Sequence, residues 1–446
     1  MEKGAFIIGI NEMGEKVSAS SARISTTGGN AITILDKAEN AEKNRNLIAK
    51  VLNSGHASIS EHTVFSLAFC DVSVLVEQFM IEFRLASFTV KSRRYVDFGK
   101  SGFYIPPNLL ESLKCKYTAH MESLFLTYNN FIENGIPKED ARFLLPYSFY
   151  SNFYVTVNAR ELKHIITKML FGHGAEFLEI RNLGEMLLQQ ALETAPCFFE
   201  SIQKQDITEK KSRHYTVEAI IKKEMIEILQ YPQEPKKILA MAHMLSNGKI
   251  DNLDNLSDEN YQHIIKEIFN SIRPRELEQL SYTIRFNNLS LSSITHLVRH
   301  RIQSIIVPSL ISVNNKKYII PKTIAEKSEL LETYKSAFED TLKLKEELAQ
   351  EGVSNSDLVY FALSGNTLNV MTTINARELL LFFQLRACNR AQWEIREYAI
   401  DLLEKLRELS GDIFSNVGPS CFVKGFCPEG RLSCGDMPQV KKKFEV

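Results

Sequence analysis

The sequence has almost no net charge and no long apolar run, and each of these absences excludes a class of protein. Its 53 Lys and Arg side chains balance 54 Asp and Glu, which leaves a formal net charge of −1. This balance excludes the broad basic surface that non-specific nucleic-acid binding requires. No apolar stretch reaches the length of a membrane span, and the N-terminal apolar run is too short and acid-flanked for a signal peptide. We therefore expect a cytoplasmic protein that binds neither nucleic acid nor membranes.

Cysteines are also scarce, and their spacing argues against a metal site. There are seven in 446 residues, four scattered among apolar segments and three near the C-terminus: Cys70, Cys115, Cys197, Cys388, Cys421, Cys427 and Cys434. Five and six residues separate the last three, whereas zinc sites favour C-x-x-C pairs or a nearby His. We predict no bound metal, and we leave open a reactive or regulatory thiol in the tail, residues 418–446.

The chain contains an internal repeat. TVNAREL at Thr156–Leu162 returns as TINAREL at Thr373–Leu379, an offset of 375 − 158 = 217 counted between the two Asn residues. The same offset aligns FRLASFTVKS around Arg84 with the neighbourhood of Arg301. A repeat this long is a domain, and the polar stretch 204–216 separates the copies. We predict two domains, residues 1–205 and 217–446.

Each copy mixes the two kinds of secondary structure. TVFSLAFCDVSVLV is rich in strand-forming residues, and each copy ends in a long amphipathic stretch, LLQQALETAP or YAIDLLEKLREL. Strands and helices do not alternate regularly, which favours an α+β class over an alternating parallel fold.

Three cationic or titratable side chains, Arg299, His300 and Arg301, interrupt the apolar stretch SITHLVRHRIQSIIVPS. If this stretch is helical, its period of about 100° per residue sends the two Arg side chains to opposite sides. A helix of this kind suits a position between two ligands or two subunits. The ordinary alternative is an Arg pair that reaches solvent or bridges to carboxylates.

Two further stretches suit the binding of an anionic heterocycle. In TINARELLLFFQLR, Asn375 and Arg386 are eleven positions apart, about three helical turns, so an amide and a guanidinium share one face. They suit the edge of a flat ring, although an Arg that offsets the helix macrodipole explains Arg386 alone. In VKSRRYVDF, the adjacent hydroxyl and guanidinium groups of Ser92 and Arg94 suit a phosphate monoester, with a solvated basic strand end as the alternative.

Together these motifs resemble a known family. R-H-R-x-x-S, S-x-R-Y, Y-I-P, A-R-x-x-L-P, N-A-R-x-L and A-Q-W-E-I resemble the flavin-dependent thymidylate synthases (ThyX), and both copies carry part of the set. The resemblance implies two tandem ThyX-like domains, each an antiparallel sheet with flanking helices. It implies reductive methylation of dUMP to dTMP, with methylenetetrahydrofolate and NADPH as co-substrates and FAD as cofactor. The family tetramer implies a homodimer of the fused chain.

The two copies depart from the family pattern in complementary ways. The first keeps the phosphate-binding motifs but has Glu82, Phe83 and Arg84 in place of R-H-R, and Met169 in place of Arg386. The second keeps R-H-R and Arg386 but has PSLIS in place of S-x-R-Y, and Val359 in place of an Arg. The resemblance therefore implies one composite site type, whereas the reciprocal set, with Glu82, Phe83, Met169, Ile311 and Val359, is expected to be inactive.

The resemblance also assigns individual roles. The expected nucleotide-binding residues are Ser92, Arg94, Tyr95, Arg142, Arg299 and Arg386, of which Arg386 also has the catalytic role of stabilising the uracil anion. The expected flavin-binding residues are His56, Ser58, Arg299, His300, Arg301, Asn375 and Arg377. Val90 and Val307 stand where the family usually has an acidic residue. They leave open a flavin-dependent methylase or hydroxymethylase for another pyrimidine nucleotide, or a non-catalytic flavin- or nucleotide-binding protein.

Overall fold

The computed structural model describes residues 3–204, 224–248 and 256–445. The predicted domain boundaries at 205 and 217 lie in residues 205–223, outside the described residues. Two compact units contain the chain: Met1–Thr216 with Leu310–Gly365, and Val217–Ser309 with Asn366–Val446. The compact units therefore do not coincide with the repeats, because the middle of the second copy packs with the first unit.

Each unit contains one four-stranded antiparallel sheet. The first has the order β1-β2-β4-β3, built from β1 (Gly4–Ile10), β2 (Val64–Ser73), β3 (Ser87–Val90) and β4 (Tyr150–Asn158). The second has the order β5-β6-β8-β7, built from β5 (Ile226–Gln230), β6 (Ser281–Ser290), β7 (Gln303–Ile306) and β8 (Thr367–Asn375). The matching order and direction confirm the predicted α+β class with one antiparallel sheet in each half.

Helices flank both sheets. In the first copy they are α1 (Gly14–Ile24), α2 (Ala31–Asp36), α3 (Ala41–Asn53), α4 (Val74–Ile81), α5 (Glu111–Glu133), α6 (Lys138–Ala141), α7 (Ala159–Leu170), α8 (Leu178–Thr194) and α9 (Pro196–Phe199). In the second they are α10 (Pro235–Ser246), α11 (Asp258–Asn270), α12 (Leu291–Leu297), α13 (Lys322–Ala325), α14 (Ser328–Gln350), α15 (Asn355–Leu358), α16 (Ala376–Arg386), α17 (Trp393–Leu409), α18 (Gly411–Phe414), α19 (Ser420–Lys424) and α20 (Met437–Phe444). Short 3-10 turns include Ala57–His62 and Arg142–Leu144. None of these described helices has both the length and the apolarity that crossing a bilayer requires.

The same backbone irregularity interrupts the long strand in both copies. Asp71 in β2 and Asn288 in β6 have φ values of 47° and 56°, which short polar side chains tolerate better than others. Each lies where the register against the neighbouring strand shifts, and each backbone N–H donates to an Asn side chain, at 3.1 Å and 2.8 Å. Strand pairing resumes for two residue pairs beyond each bulge, and the chain then enters α4 or α12.

The segment Leu310–Gly365 belongs to the second copy in sequence and to the first unit in space. Its long helix α14 packs against α5, where the Thr341 hydroxyl lies 2.9 Å from His120 Nε2. Lys327 Nζ donates to the Asn134 carbonyl at 2.6 Å, and the buried Tyr360 hydroxyl donates to Glu179 at 2.9 Å. The core of the first unit is therefore completed by residues of the second copy.

Candidate functional site

A buried carboxylate holds the start of α12, the helix that precedes R-H-R. Glu394 accepts hydrogen bonds from the Ser290 backbone N–H at 2.8 Å and from the Ser293 hydroxyl at 2.7 Å. In the first copy, Glu179 accepts from the Ser73 backbone N–H, also at 2.8 Å. These carboxylates satisfy N–H and O–H groups that the start of the helix would otherwise leave without partners. The Glu of the A-Q-W-E-I motif therefore has a role in the fold of both copies.

R-H-R lies in a turn and not in a helix, which corrects the helical placement expected from the sequence. Helix α12 ends at Leu297, and its last carbonyl accepts from the His300 backbone N–H at 3.1 Å and from Gln303 Nε2 at 2.8 Å. These bonds close the helix before the motif begins. Arg299 and Arg301 are exposed on either side of the buried His300. The helical periodicity expected from the sequence therefore does not apply to these two Arg residues.

His300 connects a carboxylate to the Arg side chain predicted to be catalytic. Its Nδ1 lies 3.0 Å from Glu378 Oε1, and Arg386 Nε donates to its Nε2 at 3.2 Å. Because an Arg can only donate, Nε2 accepts, and the imidazole proton is on Nδ1, where it donates to Glu378. Burial lowers the pKa of His300, the hydrogen bond to Glu378 opposes this, and the positive charge of Arg386 adds to it. A neutral His300 thus fixes the orientation of the Arg386 guanidinium.

Sequence reasoning did not identify Glu378 as part of this set. It lies in the first turn of α16, where the Asn375 side chain caps the helix by accepting from the Glu378 backbone N–H at 2.9 Å. In the first copy Phe83 occupies the place of His300, and the counterpart Glu161 interacts electrostatically with His164 instead. No local sequence pattern marks the pairing, because His300 and Glu378 are 78 positions apart in the chain.

The repeated N-A-R motif has a structural role in both copies. Asn158 caps α7 as Asn375 caps α16, in each case by accepting from a backbone N–H at 2.9 Å. Arg160 forms an ion pair with Glu61, and Arg377 forms one with Glu278. Capping and ion pairing account for the motif in the copy that lacks R-H-R. Flavin binding by Asn375 and Arg377 therefore stays a prediction.

The first unit brings the predicted phosphate-binding residues Arg94 and Arg142 around one glutamate. Arg94 Nη1 lies 3.7 Å from Glu139 Oε1, and Arg142 Nε donates to the Glu139 carbonyl at 3.1 Å. The Ser92 hydroxyl accepts from the Arg94 backbone N–H at 3.4 Å, so the turn places hydroxyl and guanidinium together. A half-exposed ion pair such as Arg94–Glu139 stabilises the fold by at most about 1 kcal/mol, so a phosphate can replace the carboxylate.

The two adjacent Arg residues of S-R-R-Y serve different purposes. Arg93 is buried in an ion pair with Glu77, which also accepts from the Ser151 hydroxyl. Arg94 points towards Glu139, and its guanidinium lies 5.3 Å from the ring centre of the exposed Tyr95. Of this pair, Arg94 is therefore the more accessible side chain, and its part in phosphate binding stays a prediction.

His56 and Ser58, the remaining predicted flavin-binding residues, are exposed next to each other at the turn Ala57–His62. They belong to the first compact unit, whereas R-H-R belongs to the second. Their part in flavin binding stays a prediction.

In the first copy, the residues that replace R-H-R line a cavity of about 350 Å³. Its lining is Phe79, Glu82, Phe83, Arg84, Leu85, Glu161, His164 and His173. Burial raises the pKa of Glu82 to about 7, against a smaller opposing effect of its hydrogen bond from Gln78. A carboxyl group that is half protonated near neutral pH does not reproduce the fixed positive charge of Arg299.

Replacing Glu82 with Gln is expected to stabilise the protein in a pH-dependent way. An acid whose pKa rises from 4.5 to about 7 on folding stabilises the fold fully below pH 4.5, and this stabilisation is lost as pH rises through 7. At pH 8 we expect the free energy of unfolding to be higher in Glu82→Gln by up to roughly 3 kcal/mol, with little difference at pH 4. Urea unfolding at both pH values measures this, and the exposed Glu185→Gln is the control. An equal difference at both pH values would contradict the assignment.

The fold and these side chains define a class: a tandemly duplicated α+β protein with one antiparallel sheet in each half and exposed Arg side chains in the turn that follows α12. The chain belongs to the thymidylate synthase complementing protein family, whose sequence model matches residues 7–197 and again residues 227–410. Two matches in one chain confirm the tandem duplication predicted from the repeat.

Relatives that match about half of this chain support the same family assignment. The chain is 30% identical over 232 residues to a flavin-dependent thymidylate synthase of Geobacter sulfurreducens, covering 49% of this chain and 97% of the relative. It is 29% identical over 240 residues to one of Clostridium tetani, covering 49% and 96%. Among solved structures, a UMP/dUMP methylase from Streptomyces cacaoi bound with 5-Br dUMP matches with a TM-score of 0.39 and 22% identity, over 45% of this chain and 94% of that chain.

Proposed function

We propose that the protein catalyses the FAD-dependent reductive methylation of dUMP to dTMP, with methylenetetrahydrofolate and NADPH as co-substrates. The observation that carries the proposal is the chain of hydrogen bonds from Glu378 through His300 to Arg386. It belongs to a protein of this family, and two of its relatives are flavin-dependent thymidylate synthases. The proposal extends their activity to the fused chain.

The oriented Arg386 supplies what the proposed chemistry demands. For C5 of uracil to attack a carbon electrophile, the ring must carry negative charge, and a guanidinium held in advance stabilises that charge without having to reorganise. The Glu378–His300 pair orients the guanidinium through its Nε, and a planar guanidinium held in this way suits parallel hydrogen bonds to a planar anion. Arg386 is in this proposal the catalytic residue, and Glu378 and His300 position it.

The phosphate of dUMP is assigned to the first copy. Ser92, Arg94 and Arg142 supply one hydroxyl and two guanidinium groups, and bidentate Arg contacts satisfy several phosphate oxygens at once. Tyr95 lies beside Arg94 and offers an exposed ring and hydroxyl to the nucleotide. The second copy lacks this set, which is why we assign the phosphate to the first.

The residues around R-H-R fit FAD. The exposed guanidinium groups of Arg299 and Arg301 are donors only, which matches the anionic diphosphate and the anionic reduced ring of the cofactor. His300, which lies between them in the chain, is buried and stays inside the fold. When bound, FAD supplies the redox chemistry that carries the one-carbon unit and the hydride to the nucleotide. In the same proposal Arg299 also contacts the nucleotide.

An anaerobic assay tests the proposal. The full-length protein, reconstituted with FAD, is expected to form dTMP from dUMP, methylenetetrahydrofolate and NADPH, and to form none when any one of these is omitted. UMP offered in place of dUMP tests the reading that Val90 and Val307 select another pyrimidine nucleotide. Flavin binding without dTMP would refute the thymidylate synthase activity, and methylation of UMP alone would reassign the substrate.

A further inference from the structure

Four of the seven cysteines are brought towards one another in the second unit. Cys388 follows the end of α16, Cys421 lies in α19, and Cys427 and Cys434 follow in the tail. Helix α16 packs against α19, and the Ser420 hydroxyl donates to the carbonyl of Gln384 at 3.3 Å. This contact brings Cys421 close to Cys388.

The thiols also influence one another electrostatically, which agrees with the placement that the contact between α16 and α19 gives them. Cys421 is influenced by Cys388, Cys427 and Cys434, and Cys388 is influenced by Cys427 and Cys434. Burial is the main cause that raises the pKa of Cys388 and of Cys421, and the neighbouring thiols raise it further. All four are free thiols and none is in a disulfide.

The backbone around the two tail cysteines makes several sharp turns at glycines. Such turns can bring cysteines that are apart in sequence towards one another. Gly425, Gly430 and Gly435 have φ values of 77°, 52° and 77°, a region that favours glycine, and they lie before, between and after the two tail cysteines. The backbone N–H of Arg390 donates to Cys388 Sγ at 3.5 Å. Hydrogen bonds of this kind to a sulfur are typical of the surroundings of metal-bound thiolates.

The first copy has no counterparts of these four cysteines. Phe171 occupies the position that corresponds to Cys388, at the offset of 217, and no cysteine occurs between Cys197 and Cys388. Cys388 and the three tail cysteines therefore occur together in one copy and are missing together from the other.

We propose that Cys388, Cys421, Cys427 and Cys434 bind one Zn²⁺ in a tetrahedral, structural site. Four thiolates are a preferred ligand set for this ion, and each thiol gives up its proton to the solvent as its sulfur binds. Among the described residues no three His, Cys, Asp or Glu side chains are already grouped as a metal site, so binding draws the sulfur atoms together. The inference revises the sequence expectation of no metal, which counted only the three tail cysteines.

The site would secure the helix that carries Arg386. Cys388 lies two residues beyond Arg386, the last residue of α16, so a metal there fixes the end of that helix to the C-terminal tail. This consequence is separate from the proposed catalytic activity, and the test below does not use activity as its readout.

Metal analysis of the full-length chain tests the proposal. Protein purified under reducing conditions with zinc supplied is expected to contain about one Zn²⁺ per chain. Cys388→Ser and Cys434→Ser are expected to retain at least about tenfold less, whereas Cys115→Ser, at an exposed cysteine of the first unit, retains it all. Circular dichroism establishes that each variant is folded.

A second measurement covers the case in which a serine variant does not fold. The four cysteines of the wild-type protein are expected to resist alkylation until a chelator is added, whereas Cys115 is labelled either way, as mass spectrometry of the peptides can show. Any of three results overturns the proposal: iron with acid-labile sulfide in place of zinc, full zinc content in folded Cys388→Ser, or labelling of all four thiols without chelator.

Discussion

Replacing Arg386 with Ala is expected to lower the turnover of dUMP to dTMP by at least about a hundredfold, or roughly 3 kcal/mol of transition-state stabilisation. The physical reason is that the guanidinium is already oriented by His300 and Glu378 towards a charge that develops on the uracil ring. Single-turnover kinetics with bound FAD measures the loss. The expected effect falls on kcat more than on KM, because the interaction strengthens in the transition state.

Two further variants make this prediction specific. Arg386→Lys keeps the positive charge but removes the Nε donor to His300, so most of the loss is expected to remain. Arg273→Ala, an exposed Arg of the same unit, is the matched control and is expected to retain full turnover. Equal turnover in Arg386→Ala and Arg273→Ala would exclude Arg386 from the reaction.

Replacing Arg142 with Ala is expected to raise the KM for dUMP by about tenfold to a hundredfold, since charge-assisted hydrogen bonds to an anion contribute about 1.5–3 kcal/mol. Activity with deoxyuridine, which has no phosphate, is expected to be low in both proteins and equal. A similar loss with both substrates would show that the variant damages the fold instead. Arg94→Ala, at a partly exposed position, provides the same test with less risk to the core.

The two copies depart from the family pattern in complementary ways, so Arg142→Ala and Arg386→Ala can also test whether residues of different chains act together. Arg142→Ala and Arg386→Ala chains can be mixed and assayed together. Recovery of activity would show that an intact Arg142 and an intact Arg386 from different chains act in one reaction. Absence of recovery, with both variants folded, would show that both residues must come from the same chain.

The fold class, the duplication and the family could be predicted from the sequence, because each depends on repeats and motifs that are visible within short stretches of the chain. The repeated T-x-N-A-R-E-L indicated the two copies, the strand-forming stretch around β2 indicated the α+β class, and the resemblance implied the antiparallel sheets. It placed R-H-R in a helix because apolar residues continue on both sides of the motif. The turn is set by hydrogen bonds from His300 and Gln303 to Leu297, which hydrophobic periodicity does not reveal.

The residues that sequence reasoning missed depend on contacts distant in the chain. Glu378 matters because it meets His300, 78 positions away, and Glu394 because it caps a helix 104 positions earlier. The sequence analysis grouped Cys388 with the cysteines scattered among apolar segments, because it is far in sequence from the three tail cysteines. Folding brings its helix against α19 and so relates it to the tail cysteines.

The segment Leu310–Gly365, which lies in the second copy in sequence but in the first unit in space, also limits where the gene could be shortened or recombined. A stop codon or a recombination point after the first copy would leave α5 without α14, and Glu179 without the hydroxyl of Tyr360. Aromatic surface that is now buried, including Tyr117 and Phe131, would face water. A gene shortened to the first copy would therefore encode a domain with an incomplete core.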